Sequence, residues 1–394
     1  MFNPTKDKNI FLLVSFIFWF SHFIYIPTLS PYMESLGGKY TFIGIVLSSY
    51  GLMQFLLRLP IGIFSDVIKL RKPFIIIGML ISTISCLIYS VTDSLIWILI
   101  ARCFAGVAAA TWVVFTVLYA SYFVNQEVHR AMSSISFIIV LAQSLGMALS
   151  GYIVNEWGWH VPFWIGLGFG VFGTIMSFFI FEPKEGIVRE PVKMKDLISV
   201  FQEPQLLKTS LLSILAHSII FTTMFGFIPT YALKIGFQSN DLSLVIFSFM
   251  IPHAFATLFM SKVFVSFFGK WRTLEILFFL TSFFTLATPL VTSKSWLCIF
   301  QSINGFALGI IFPLLLGMSI ESIPHKKKAT AMGLYQALYA LGIFAGPFFA
   351  GMLNSQMGIA AGFYFVAALG LIATIFITNW RRKDSVQVGL EINQ

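Results

Sequence analysis

The chain has 394 residues, of which 58% are hydrophobic and 10% charged, with a formal net charge of +9 and a mean hydropathy of +0.88. A soluble domain carries about a quarter charged residues, so this composition leaves too little polar surface to face water and excludes a soluble enzyme or regulator. The excess of positive charge does not mark a nucleic-acid binder, because the basic residues segregate by membrane side.

Apolar runs of about 20 residues, the length of a membrane-crossing helix, recur along the chain. They lack the two-residue alternation of a barrel strand. In lipid the backbone must satisfy itself, so the expected fold is all-α and integral to the membrane, with twelve transmembrane helices. The spans fall at about 10–33, 41–65, 74–91, 95–120, 131–154, 161–181, 208–233, 241–268, 273–291, 295–321, 329–352 and 358–380. Lys6 and Lys8 precede the first run as in a signal peptide. That run is too long, has no small-residue cleavage site and passes into Pro27 and Pro31, so it reads as the first helix. Cys86, Cys103 and Cys298 all lie in apolar runs, which argues against a disulfide framework or a zinc site.

The one long connection is charged and punctuated by Pro183, Pro191 and Pro204. It divides the chain into a six-helix half at 1–182, a linker at 183–207, a second half at 208–380 and a tail at 381–394. Placing the N-terminus in the cytoplasm puts 20 of the 25 Lys and Arg on cytoplasmic ends and loops. These are Lys6, Lys8, Lys69, Arg71, Lys72, Arg130, Lys184, Arg189, Lys193, Lys195, Lys208, Lys262, Lys270, Arg272, Lys326, Lys327, Lys328, Arg381, Arg382 and Lys383. The outside holds only Lys39, Lys234 and Lys294, and Arg58 and Arg102 lie within spans. This bias orients the protein with both termini inside. Shifting the sequence by 200 residues lays Ala131-Met132 on Ala331-Met332, Gly146 on Gly346 and Gly151 on Gly351. Ile26-Pro27-Thr28 falls on Ile228-Pro229-Thr230 at an offset of 202. The halves are therefore expected to be parallel pseudo-repeats, the architecture of a secondary transporter with its site near the midplane.

At the second and third spans the chain reads RLPIGIFSDVIKLRKP, with Gly62, Asp66, Arg71 and Lys72. This resembles the Gly-x-x-x-Asp-Arg-x-Gly-Arg-Arg/Lys loop of the major facilitator superfamily, with Val67 for its arginine and Lys69 for its glycine. Arg58 and Pro60, and the helix 1 end Pro27-Thr28-Leu29-Ser30-Pro31-Tyr32, resemble the drug:proton antiporter branch. So do Arg102, Gly106 and Ala108 to Ala110 in helix 4. The antiporter motif of helix 5 is partial, as Gly146, Ser150 and Gly151, and helix 11 carries the better copy in Gly342, Gly346, Pro347 and Gly351. The acid that the family usually carries after helix 4 is replaced by Ser121, while Glu321 holds that place in the second half. The resemblance implies a gate at Gly62, Asp66, Lys69, Arg71 and Lys72. Asp66 would there latch onto the N-terminus of helix 11 near Thr330, where the helix dipole favours an anion. It also places Gly146, Gly151, Gly346, Pro347 and Gly351 on helices at the interface between halves.

No Asp or Glu lies mid-span. His22 and Arg102 are therefore the candidates for proton coupling, His22 because imidazole titrates near neutrality. Arg102 either faces the centre or snorkels to the outer interface, and Arg58 is expected to snorkel or to form a structural pair. His22, Tyr25, Arg102, Trp112, Gln143, His217, His253, Asn304, Tyr335, Gln336 and Tyr339 are the candidates for a substrate cavity, a mixture of aromatic walls and hydrogen-bonding groups. The alternative for each is packing or an interhelical hydrogen bond. The three mid-span histidines share no helix at i, i+4 spacing and have no carboxylate with them, so no metal is expected.

The leading expectation is a proton-coupled exporter of a small organic or amphipathic molecule. A metabolite-specific importer or facilitator with weak or no proton coupling stands beside it. A transporter-shaped sensor is the reading from another class. No enzyme chemistry and no cofactor are expected, since no nucleophile and base converge and no phosphate-binding loop is present. The expected partners are substrate, proton and bilayer, with no nucleic acid and a monomeric state. Short loops and low charge fit a bacterial inner membrane.

Overall fold

The computed structural model describes residues 4–123, 128–183, 194–324 and 327–392. Twelve apolar helices carry the fold among the described residues: α1 Thr5–Ser35, α2 Tyr40–Ile68, α3 Lys72–Ser90, α4 Leu95–Ala120, α5 Val128–Trp157, α6 Val161–Ser177, α7 Pro204–Lys234, α8 Leu242–Met260, α9 Lys270–Leu290, α10 Lys294–Ser319, α11 Lys328–Met357 and α12 Ala360–Ile392. They coincide with the twelve expected spans.

The breaks in α1 and α7 accompany proline, while α4 is interrupted at Thr111 without one. The regular turns of α1 stop at Phe23 and resume at Ile26, with Pro27 in the first turn of the new segment. Pro27 lacks the N–H that would bond four residues back and its ring crowds that carbonyl. In α7 the equivalent Pro229 follows a π-turn at Thr223–Phe227. The Ile-Pro-Thr repeat thus marks the same break in both halves.

The repeat also governs packing. In the first half α2 packs on α4, α3 on α6, α1 on α5, α3 on α4 and α1 on α6; in the second half α8 packs on α10, α9 on α12, α7 on α11, α9 on α10 and α7 on α12. Each second-half pair is a first-half pair advanced by six helices, so the molecule is two six-helix pseudo-repeats. Between the halves, α2 lies along α11, α5 along α8, and α1 meets α7.

The α2–α11 seam is close because it is lined by glycine. A Cβ at Gly44 would stand 2.6 Å from the Pro347 carbonyl oxygen and 2.8 Å from Gly351 Cα, and one at Gly51 only 2.4 Å from Phe344 N. Backbones can meet at such distances only where side chains are absent. The seam continues at the end away from the basic loops. There Ser355 Oγ accepts from Thr41 N at 2.7 Å, Thr230 Oγ1 donates to Ser30 Oγ at 3.0 Å, and Lys234 Nζ pairs with Glu34 Oε1 at 3.3 Å. Tyr40 joins that pair, donating to Glu34 at 2.6 Å and accepting from Lys234.

Toward the basic end the seam loosens. A Cβ at Gly333 of α11 would only touch Leu59 at 4.0 Å, and one at Gly62 would meet Val113 of its own half at 3.8 Å. The connection expected as a charged, proline-punctuated linker contains a helix, Met194–Phe201, that packs on α11. Lys327 Nζ donates to its Ser199 Oγ at 2.8 Å. At the other end α12 continues through the residues expected as a tail, to Ile392.

Candidate substrate site between the two halves

The seam's seven-residue rhythm, Gly44, Gly51, Arg58, places those residues on one face of α2. That face meets the centre of the molecule, where Tyr50, Ala105, Ala109 and Ile343 form a small cluster with Phe221 and Tyr339 against it. Tyr50, Ala105 and Ala109 come from α2 and α4 of the first half, and Ile343, Tyr339 and Phe221 from α11 and α7 of the second, so the cluster bridges the halves.

Two arginines border it, both almost wholly buried at 2% and 1% exposure for Arg58 and Arg102. Burial at that level rules out snorkelling for either. The Arg58 guanidinium donates to Gln54 Oε1, to the Gln336 carbonyl at 3.0 Å across the seam, and to the Ala109 carbonyl at 3.5 Å. It stands 5.3 Å from the Tyr339 ring centre. The Arg102 guanidinium lies 4.2 Å over the Tyr50 ring with the Tyr89 hydroxyl beside it, and its Nε and Nη1 make no well-formed hydrogen bond. An arginine at mid-membrane costs about 2.5–3.5 kcal/mol on insertion scales, and a cation–π contact returns about 0.5–2 kcal/mol. Tyr50 therefore offsets only part of the cost at Arg102.

Aromatic groups continue the belt on both sides. His217 of α7 stacks on Tyr339 with ring centres 4.1 Å apart, and Phe221 stacks on Tyr50 at 6.2 Å. On the N-terminal side Trp19 and Trp112 meet edge to face at 5.1 Å. His22, 5.9 Å from Trp19, lies between two backbone carbonyls: Nδ1 is 2.7 Å from Phe18 O and Nε2 is 3.3 Å from Ala105 O. Ser82 Oγ is also 3.2 Å from Nδ1. A neutral imidazole has one N–H to offer and an imidazolium has two. The pocket therefore holds an acceptor for each ring nitrogen in either protonation state.

A profile of the Major Facilitator Superfamily matches residues 11–241 and again 210–391. The chain belongs to the major facilitator superfamily. It is 26% identical over 372 residues to the inner membrane transport protein YajR of Escherichia coli, covering 90% of this chain and 78% of that one. It is 23% identical over 386 residues to the quinolone resistance protein NorA of Staphylococcus aureus, covering 94% and 96%. Among solved structures it superposes with a TM-score of 0.80 on a bacterial homologue of the human lysosomal transporter Spinster, crystallised inward-facing and unoccupied, at 13% identity over 95% of this chain and 96% of that one. It is thus a multi-pass membrane transporter of a family whose members transport rather than catalyse.

Of the residues expected at a major facilitator cavity, the fold gathers His22, Arg102, Trp112, His217, Gln336 and Tyr339 at the belt. Others turn elsewhere. Tyr25 packs inside the first half on Tyr89 and Phe163, with ring centres at 5.0 and 5.4 Å. Asn304 faces α9, its amide donating to Thr285 Oγ1 at 3.4 Å. Tyr335 donates to Ser213 Oγ at 2.9 Å inside the second half, with its ring 5.7 Å from Tyr339. His253 sits behind Phe312, 6.1 Å from it, while His217 is 4.7 Å from the same ring. Gln143 is half-buried on α5. Tyr50, Gln54 and Trp19 belong to the belt and were not singled out by sequence, and Arg58, noted there as an intraspan charge, was not placed among the cavity residues. A recess of about 340 Å³ lined by Lys6, Asp7, Ile10, Met176 and Phe179 lies between α1 and α6, away from the belt.

The family loop after α2 takes a different form from the expected latch. Asp66 pairs with Arg71 at 2.9 Å in its own loop, and neither Thr330 nor the rest of the α11 N-terminus bonds to it among the described residues. Lys69, where the family pattern has glycine, adopts the left-handed conformation at φ 58° that closes α2. The N–H groups of Arg71 and Lys72, at the start of α3, donate to Glu182 at 2.5 and 3.1 Å. Glu182 follows α6 and thus supplies an acid to the loop from a part of the chain not expected to do so. In the second half Glu321 pairs with Lys270. Gly151 and Gly351 meet the opposite half, whereas Gly146 approaches α1 at Ile24 N and Gly346 approaches α7 at Ser218 O.

Proposed function

We propose that this transporter works by alternating access and exports a small organic or amphipathic molecule, with its basic end in the cytoplasm and export driven by proton entry. The observation that carries the reading is the belt of Arg58, Arg102, Tyr50, Tyr339 and His217, which is shared by both halves. Rocking the halves about this belt would expose it to each side in turn. Similarity to a protein named for quinolone resistance supports export. His22, with an acceptor for each ring nitrogen, is the proton carrier in this reading, and Arg102 one turn away on α4 is its electrostatic partner. Asp66 serves as the latch only in the state in which the basic end closes.

A second reading, a facilitator without proton coupling, is favoured by the absence of any mid-span Asp or Glu. Proteoliposomes distinguish the two. With a fluoroquinolone as the probe, an imposed pH gradient is expected to accelerate flux and His22→Ala to remove that acceleration. Flux that ignores the gradient in wild-type protein would end the proton-coupled reading and leave the facilitator.

A further inference from the structure

We infer that the central site recognises an organic anion, an aromatic or aliphatic body carrying a carboxylate, sulfonate or phosphate. The inference rests on the transporter reading above and specifies its substrate class. Arg58 and Arg102 are the only full charges fixed by sequence in the interior of the spans, and both are cations. The nearest acids along α2 and α4 are Glu34, Asp66 and Asp93, all at helix ends or in loops. Asp66 is already paired with Arg71 and Glu34 with Lys234. Glu275 of α9 is engaged by Arg381.

The two arginines are not equivalent. Arg58 is tied down by Gln54 and two carbonyls, so it contributes mainly charge. Arg102 has the Tyr89 hydroxyl beside its guanidinium, and its Nε and Nη1 are buried with no well-formed hydrogen bond. A buried donor set of that kind carries a desolvation penalty until an acceptor arrives, and a planar fork fits a carboxylate or sulfonate in a bidentate manner. Trp19 Nε1, a donor only, also lacks a protein acceptor, while the Gln336 Oε1 acceptor lacks a donor. The walls supplied by Tyr50, Phe221, Tyr339 and Trp112 suit an apolar or aromatic body. A permanent cation would meet two fixed positive charges and no mid-span carboxylate, so the site discriminates by repulsion as well as attraction.

The test uses the full-length purified protein and three probes of one shape: 1-naphthalenesulfonate, 1-naphthalenemethanol and 1-naphthylmethylammonium. Equilibrium dialysis is expected to show the sulfonate binding at least tenfold more tightly than the other two. Arg102→Gln is expected to remove that preference, with Arg102→Lys restoring part of it because charge returns without the fork. Arg58→Gln is the second variant, expected to weaken the sulfonate severalfold, and thermal melting establishes that each variant is folded. Equal binding of the three probes, a preference for the ammonium, binding of none, or a preference that survives Arg102→Gln overturns the inference. Alternating cysteine accessibility at the Glu34–Lys234 end is followed in the same preparations. If accessibility alternates without any preference for the anion, only this inference fails; if it never alternates, the transporter reading fails.

Discussion

Arg58 and Arg102 spend stabilising energy that an apolar side chain would not, and a fold retains such residues where they act on something. Arg58→Met removes a buried charge whose partners are all neutral. Its removal relieves the desolvation of the charge but leaves Gln54 Oε1 buried without its donor, at about 1–3 kcal/mol. The two terms oppose, so the variant is expected to melt close to wild type in detergent while transporting poorly; a much lower melting temperature with normal flux would make Arg58 a structural residue. At the opposite end, Asp93 accepts from Tyr32 at 2.7 Å and lies 2.9 Å from His160 Nε2. These hydrogen bonds, the one from Tyr32 first, hold its carboxyl below the usual range. A carboxyl with a lowered folded pKa stabilises the fold above its unfolded pKa, and the contribution is lost as pH falls through the folded value. Asp93→Asn should therefore lower the melting temperature slightly near neutrality and not at strongly acidic pH, and a gap between the two proteins that persists in acid would contradict this. The sequence named His22, Arg102, Trp112, His217 and Tyr339 because polar or aromatic groups in an apolar span stand out. It could not say where Tyr25 and Asn304 point, since a helix apolar all round carries no periodic signal of facing. For Arg58 sequence depth alone allowed snorkelling or a structural pair, and the bonds to Gln54 and to the Gln336 carbonyl, the latter 278 residues away, hold it inside.

At the scale of elements, the twelve helices were legible because length and hydropathy suffice in lipid, whereas the breaks beside Pro27 in α1 and Pro229 in α7 were not foreseen. The Met194–Phe201 helix was not, because charge and flanking prolines in that segment argue for an extended connection; contact with α11 overrides them. The α2–α11 seam was half legible. Gly351 was expected there, but its partner Gly44, and Gly51 against Phe344 and Ile343, lie outside the family motifs. Gly51→Leu would drive a side chain into Phe344 N and Ile343. Overpacking of a close seam costs about 1–3 kcal/mol, so the variant should melt lower and lose flux, with labelling at the Glu34–Lys234 end becoming easier. Unchanged melting and labelling would show that the seam is not as tight as its backbone distances.

For the whole molecule, the repeat inferred from a 200-residue offset reappears as the same five helix pairings advanced by six, which is stronger than any residue match. What the offset could not convey is the asymmetry of the interface: bonded through Thr41–Ser355, Ser30–Thr230 and Glu34–Lys234 at one end, loose around Gly62 and Gly333 at the other. If the halves alternate, the bonded end must open in every cycle. The direct test is a covalent lock there. Thr41→Cys and Ser355→Cys are introduced with Cys86, Cys103 and Cys298 replaced by serine, the pair is oxidised, and fluoroquinolone flux is measured in proteoliposomes before and after reduction. The account predicts that the disulfide abolishes flux and that reduction restores it. Flux undiminished with the disulfide fully formed would contradict it.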